Sequence, residues 1–337
     1  MAKRLRAISH RPMRNRIRHR AWYRWCLCVL LIGVACGYWE CTRDGGPLQM
    51  LESGQVIQVY NVDTAQLMEI DLEAYIVGVV AAEMPASFAL EALKAQAVAA
   101  RTFVLHRIQH PNKNVLALHA EAQISTSPAT CQAWISDEEQ KKRWGSSYEK
   151  WHNKIVQAVV ETAGEVLCYQ DALIEPVYHA SCGGGVTEAA EDVWGNAKPY
   201  LLSVSCNHPA DKHSNVTTVV SLDEFTQKMN LPHIVTAVAM NTETVPVFVA
   251  EKTASNRIKQ VTLGDWVIRG DALRRVFGLK STLMDLQILG NEIIFTTNGY
   301  GHGAGMCQHG ANYYAQQGYD YQQILRHYYA GTTVQHR

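Results

Sequence analysis

The first 24 residues of this chain contain no acidic side chain, against nine basic ones (Lys3, Arg4, Arg6, Arg11, Arg14, Arg16, Arg18, Arg20 and Arg24). The next fifteen, Trp25 to Trp39 (WCLCVLLIGVACGYW), contain no charge of either sign. Beyond residue 24 the chain is short of base, with 22 basic residues against 31 acidic ones, a net charge of −9 hidden by a formal total of zero. A body that acidic lacks the basic face that phosphate binding requires, which excludes a nucleic-acid partner. No internal repeat and no low-complexity tract is present, so repeat architectures are excluded as well. The nine cysteines include no pair of C-x-x-C units. Cys26, Cys28, Cys36 and Cys41 fall in or beside the apolar run, and an odd five (Cys131, Cys168, Cys182, Cys206 and Cys307) are scattered. Spacing alone assigns no disulfide among them.

The apolar run is 15 residues long, or 19 from Ala21 with Arg24 snorkelling, which just reaches across a bilayer core. Basic residues before it and Glu40 and Asp44 after it orient the basic end inward. No small-x-small cleavage site follows, and Tyr38 and Trp39 mark an interface, so the run reads as a retained anchor rather than a cleaved signal peptide. Cys36 in GVAC offers lipidation as the alternative, with Gly33 standing where a leucine would be expected. The expected organisation is a basic cytoplasmic segment at 1–24, a transmembrane anchor at 25–39, a polar Gly/Pro-bearing linker at 40–54 and one extracytoplasmic domain at 55–337. At 337 residues the chain has ample material for a core.

Within that domain, Gln55–Val62 alternates like a strand. Asp71–Met84 starts on an acidic cap and reads as a helix that Pro85 stops. A clear helix follows over Ala89–Gln109, with Leu90, Leu93, Ala97, Ala100 and Val104 at helical spacing and Ser87 available as its cap. Another spans Ser146–Gly164, and a hairpin turning at Gln170–Asp171 comes next. The region 216–295 is strand-rich (Val216–Val220, Val235–Ala239, Val245–Val249, Ile258–Leu263, Leu286–Leu289 and Ile293–Thr297), with helical pieces near Asp223–Met229 and Gly270–Phe277. A last helix covers NYYAQQGYDYQQILRHYY. Helices and hairpins without regular βα alternation predict an α+β fold.

Three places ask for chemistry. Glu83 follows Val79, Val80, Ala81 and Ala82 and precedes Met84 and Pro85. A carboxyl in such a partly desolvated place has a raised pKa and can donate a proton near neutrality; the alternative is a surface carboxylate at a helix end. Arg101 interrupts the apolar AVAARTFVL, where a guanidinium either pairs with a buried acid or binds an anionic or polyhydroxyl ligand. Two Gly-rich loops, HASCGGG (His179–Gly185) and GYGHGAGMCQHG (Gly299–Gly310), suggest a cleft wall, with Ser181 and Gln308 as hydrogen-bonding groups and His302 among glycines. The short-spaced pairs His179/Cys182, Cys206/His208 and His302/Cys307/His309 match no strong zinc pattern, so no metal and no other cofactor is expected.

The segments AYIVGVVAAEMPASFALEALKAQAVAARTF, VYHASCGGGVTEAAEDVWGNAKPYLLSV, IRGDALRRVFGLKST and GYGHGAGMCQHGANYYAQQGYDYQQILRHYY, together spanning Leu51 to Val334, resemble the stage II sporulation protein D family of peptidoglycan lytic transglycosylases. The resemblance implies a membrane-anchored enzyme of engulfment acting on glycan strands stripped of their stem peptides by a partner amidase, in company with other membrane proteins of the engulfment complex. It makes Glu83 the catalytic acid and places Arg101, Tyr178, Ser181, His302 and Gln308 in substrate binding. It also connects the chain with non-catalytic amidase enhancers. Relatives that bind zinc do so through His-x5-Cys-x4-His-Cys. Here His119 and Cys131 remain, but Ser125 and Thr130 replace the middle ligands, which removes half of that site. Cys307 and His309 replace the Ser and Tyr of the usual GMSQYG motif.

Overall fold

The computed structural model describes residues 53–231, 249–263 and 265–337. The basic segment, the anchor and the linker up to residue 52 lie outside the described residues, as do the expected strand Val235–Ala239 and nearly all of Val245–Val249. Among the described residues no helix is long and apolar enough to cross a membrane.

The elements mix helices with small sheets in no βα order, as α+β requires. Strands β1 (Val56–Asn61) and β2 (Gln66–Asp71) form an antiparallel hairpin. Helix α1 (Leu72–Glu83) starts where Asp71 Oδ1 accepts the Glu73 and Ala74 N–H groups at 2.9 and 3.4 Å, the expected acidic cap. Helix α2 (Leu90–Gln109) follows the EMP turn, but Ser87 does not cap it: its N-cap is Ala89, which makes no side-chain cap bond. Asn312 Oδ1 instead accepts the Ala89 N–H at 2.8 Å, so that helix end is satisfied from 223 residues away. Then come α3 (Lys113–Leu118), β3 (Ile124–Ser125, parallel to β1), α4 (Asp137–Trp144) and α5 (Tyr148–Val160).

Strand β4 (Glu165–Tyr169) turns at Gln170 and Asp171, both at positive φ, into a short β5 (Ala172–Leu173). The second arm of the expected hairpin ends there, after two residues. Its continuation, β6 (Tyr178–His179), pairs elsewhere. After α6 (Ala190–Trp194), strand β7 (Val216–Ser221) leads into α7 (Leu222–Lys228), and β8 (Val249–Lys252), β9 (Ile258–Leu263) and β10 (Trp266–Arg269) form an antiparallel sheet. Helix α8 (Gly270–Val276) precedes β11 (Met284–Leu289) and β12 (Glu292–Thr297), which joins β7. Strand β13 (Met306–Cys307) runs parallel to β6, and the chain closes with α9 (Gln308–Gln316), α10 (Tyr321–Tyr328) and β14 (Thr333–His336), the last paired with β4. The predicted single last helix is therefore two. Gly318, at φ +90°, breaks it, and Asp320 starts the second half with a capping box.

Among the described residues two main apolar cores result, beside a small patch of Val166, Cys168 and Leu173. The smaller gathers Val220, Phe225, Val261, Leu273, Ile293 and Phe295 from the β7–β12 region. The larger surrounds α2, whose residues from Ala92 to Val104 are buried save Lys94. The predicted apolar stripe is thus only part of the picture, because α1, α5, β4, α9 and α10 pack around this helix. Its alanines let those neighbours approach closely.

A helix buried all round must satisfy every polar group it carries. Arg101 is fully buried and gives Glu73 a two-pronged pair, Nε to Oε1 at 2.7 Å and an Nη to Oε2 at 2.6 Å, and donates to the Glu165 carbonyl at 3.0 Å. Of the two readings open at Arg101, the structure gives the buried acid. The side chain joins the start of α1 to the α5–β4 turn and does not reach the surface where a ligand would lie. Removing one member of such a pair strands the other charge. Arg101→Ala is expected to cost about 3–5 kcal/mol in chemical denaturation, whereas the paired replacement Glu73→Leu with Arg101→Met recovers most of that loss. Equal destabilisation in both variants would show that packing rather than the stranded charge sets the cost.

Candidate active site

Glu83 is the last residue of α1, and the chain leaves the helix at Met84 in extended conformation. It therefore sits at the C-terminal end of a helix dipole, which gives an anion no help. Its environment depends on Gly78, one turn further back. A Cβ at that position would meet Trp134 Nε1 at 2.2 Å and the Ile135 carbonyl at 2.8 Å, so only glycine lets the 132–135 segment cross α1 this closely. That crossing brings the Ala133 N–H to Glu83 Oε1 at 2.7 Å. Gln308, the first residue of α9, bonds the same carboxyl. Gln308 Nε2 in turn donates to Gln96 Oε1 at 3.2 Å on α2.

Burial dominates the balance and lifts the Glu83 carboxyl to about 7, against the opposing pull of the Ala133 and Gln308 hydrogen bonds, which favour the anion. The group is thus half protonated near neutrality. It faces a cleft lined by apolar Met84, Pro85 and Phe88 and by Arg143, Trp144, Lys212, His213, Tyr300 and His309. Glu83 is the one carboxylate among the described residues that line it. Arg143 is held in place by the Ala81 carbonyl at 3.0 Å, which it also caps at the end of α1. His309 packs edge-on to Phe88 at 5.2 Å and lies 3.5 Å from Asp211, while burial keeps its pKa below the usual histidine value.

The predicted site residues divide. Gln308 touches Glu83. Tyr178 lies behind the carboxyl, donating its hydroxyl to Gln132 Oε1 at 2.6 Å; burial, then the nearby Glu83 charge, hold it well above the ordinary tyrosine value. Ser181 is buried, its oxygen accepting the Gly183 N–H at 3.2 Å and its side chain meeting Asp211, so it supports the loop beneath the cleft. Arg101 is on the far side of α2 with Glu73. His302 is not in this cleft: it lies 5.1 Å from the Trp194 ring and lines a separate cavity with Glu188, Arg257 and Arg274, where burial lowers its pKa to about 3 and keeps it neutral. The turn that sends it there uses Gly301 at φ +115°, where a Cβ would strike His179 Cβ at 2.7 Å.

Sequence reasoning missed the Ala133 N–H, Gln96, Gln132, Arg143 and Lys212. A backbone donor fifty residues from its acceptor leaves no mark in a pattern of side chains. It also stopped at short-spaced pairs of sulfur and imidazole, such as Cys206/His208, without seeing that they converge. The expectation of no metal rested on short spacings, yet the fold brings Cys182, Cys206, His208 and Cys307 together with their ligand atoms all within 4.8 Å. His119 is exposed at the end of α3, and Ser125 and Thr130 simply hydrogen-bond each other at 3.0 Å.

A lone, desolvated carboxyl in a cleft of this kind defines a candidate acid–base site, and the comparisons with known proteins give it a family. A family model described as stage II sporulation protein matches residues 60–169. The stage II sporulation protein D of Bacillus subtilis (strain 168) is 36% identical over 281 residues, which covers 82% of this chain and 78% of that one. Its counterpart in Bacillus amyloliquefaciens is 35% identical over 293 residues, covering 86% and 81%. An amidase enhancer of Bacillus subtilis (strain 168) is 27% identical over 309 residues, 76% of this chain but 40% of its own length. The chain belongs to the stage II sporulation protein D family.

The raised carboxyl has a thermodynamic signature. The folded state holds the Glu83 proton more tightly than the unfolded chain, so its contribution to stability is full below about pH 4.5 and is lost as pH rises through about 7. Glu83→Gln should match the wild type at pH 4 and exceed it at pH 8 by up to about 3 kcal/mol. Parallel stability curves for the two proteins across that range would contradict a proton held in a dry site.

Proposed function

We propose that this protein is a lytic transglycosylase of the sporulating cell wall, cleaving the bond between N-acetylmuramic acid and N-acetylglucosamine in peptide-stripped glycan strands. The observation that carries the reading is the single protonatable carboxyl of Glu83 in its cleft. Protonated Glu83 gives its proton to the glycosidic oxygen. The C1–O bond breaks, and the N-acetylglucosamine leaves with a free hydroxyl. The muramyl C6 hydroxyl oxygen then bonds to C1, and its proton returns to the Glu83 carboxylate, leaving a 1,6-anhydro end and the enzyme as it began.

A glycoside hydrolase normally needs a second carboxylate, to activate water or to hold the glycosyl intermediate. The intramolecular hydroxyl removes that need, in keeping with one carboxylate in the lining. Acid–base help supplies about 10²–10⁴-fold, and orientation of the C6 hydroxyl supplies much of the remainder. Stripped strands expose the lactyl carboxylate of each muramic acid, and Arg143 and Lys212 in the cleft lining offer that anion a partner. Under this reading residues 1–24 are cytoplasmic, 25–39 form the anchor, and the domain from 55 onward works outside the membrane beside a wall amidase and other membrane proteins of engulfment.

A second reading, a non-catalytic partner that stimulates an amidase, is favoured by the identity with the amidase enhancer. One experiment separates them. Peptide-free glycan strands are digested and their ends read by mass spectrometry, with Glu83→Gln beside the wild type. The first reading expects anhydro-muramic ends, lost at least 10²-fold in the variant, and a rate that falls about tenfold per pH unit above pH 7 as the acid ionises. Uncut strands, together with unimpaired amidase stimulation by Glu83→Gln, would establish the second.

A further inference from the structure

We propose that Cys182, Cys206, His208 and Cys307 bind a structural zinc ion that fastens the Gly-rich wall of the cleft. All four are buried, and their ligand atoms lie within 4.8 Å of one another. Zinc held tetrahedrally at its usual bond lengths sets sulfur–nitrogen edges of about 3.5 Å and sulfur–sulfur edges of about 3.8 Å. Cys182 Sγ is 3.4 Å from His208 Nε2. Three thiolates and one imidazole form a closed, four-coordinate set of the structural type, and soft sulfur ligands in that geometry select zinc.

The surroundings fit a metal cluster better than a buried pocket of thiols. His208 Nδ1 lies 2.8 Å from the Pro209 carbonyl, which can only accept; the ring proton is therefore on Nδ1, and the Nε2 lone pair points into the cluster. The backbone N–H groups of Cys182 and Gly310 donate to Cys307 Sγ at 3.2 and 3.3 Å, and the Tyr328 hydroxyl is 3.0 Å from Cys206 Sγ. Such donors offset charge on thiolate sulfur. Among the described residues all five cysteines are free, and a disulfide between any two members of this set would leave the third unpaired, whereas one metal ion uses all three. Gly310 leaves the cluster its space, because a Cβ there would meet Cys206 Sγ at 2.4 Å.

The position gives the ion a task. Cys307 is the N-cap of α9, and the next residue, Gln308, bonds Glu83. Cys182 follows Ser181 in the other loop. The ion therefore pins two cleft loops and the 206–208 segment to one point, whatever reaction Glu83 performs.

Elemental analysis of the full-length protein, purified without chelator, tests the idea. It should show about one zinc per chain. Cys206→Ser and His208→Gln should each retain less than a tenth of that, and Cys168→Ser, which alters a buried cysteine outside the cluster, should keep it all. Should the ligand variants fail to fold, the wild type still decides. A strong chelator should release the zinc and at the same time expose three additional thiols to a thiol reagent, and cobalt in its place should show the visible absorption of a tetrahedral thiolate site. Wild-type protein with less than a tenth of a zinc per chain, a stoichiometric metal other than zinc, or a mapped disulfide joining any two of Cys182, Cys206 and Cys307 would overturn the proposal.

Discussion

The burial of the middle of α2, from Ala92 to Val104 save Lys94, is the constraint from which the site follows. A helix with neighbours on every side can keep a polar side chain only if another element meets it, and α2 carries two that matter. Arg101 is answered by Glu73 and the turn before β4. Gln96 is answered by Gln308. The first bond fixes the start of α1 against the helix, and the second fixes α9. Since Glu83 lies at the end of α1 and Gln308 at the start of α9, the two halves of the acid's environment are referenced to one rigid rod. Desolvation raises the carboxyl only because that rod, the 132–135 segment and the EMP turn leave little room for water around it.

This arrangement also explains how a carboxylate can be both enclosed and useful. The hydrogen bonds from Ala133 and Gln308 favour the anion, while burial favours the acid, and burial prevails without overwhelming the bonds. A group balanced in that way changes charge near neutral pH. Fewer donors would leave it a permanent acid, and a wetter site would leave it a permanent anion.

Much of this was legible in the residues themselves. Asp71 as a cap, the helix after the EMP turn, the strands flanking residue 291 and the odd placement of Glu83 in an apolar run all follow from local chemistry, and local chemistry persists in the fold. Arg101 shows where legibility stops. The sequence allowed a buried pair or a ligand contact, and choosing between them needs to know that α2 is covered on every face, which its alanines conceal because they read as neutral. The break at Gly318 was readable in principle, as a helix stop followed by the Asp320 cap, but the aromatic residues on both sides suggested continuity. His302 went to another cavity because a positive-φ glycine before it redirects the chain. The sulfur cluster was the least readable feature. Its members lie up to 125 residues apart, and only tertiary structure selects Cys182 and Cys307 to join the Cys206/His208 pair.

The pairing of β7 with β12 has one further consequence. Val216 lies opposite Thr297, and the Asn215 N–H donates to Asn298 Oδ1 at 2.9 Å, so the chain leaves the Gly-rich wall and returns to it through a closed neck. The part between Val216 and Thr297 is tied back to that wall a second time: the buried Arg257 donates to the Cys182 carbonyl at 3.1 Å and lies 3.8 Å from Glu188, which Thr253 and Ser255 also bond. Changes of length are therefore absorbed at the far turn between β11 and β12, whereas a change at Arg257 is passed directly to Cys182 in the cleft wall.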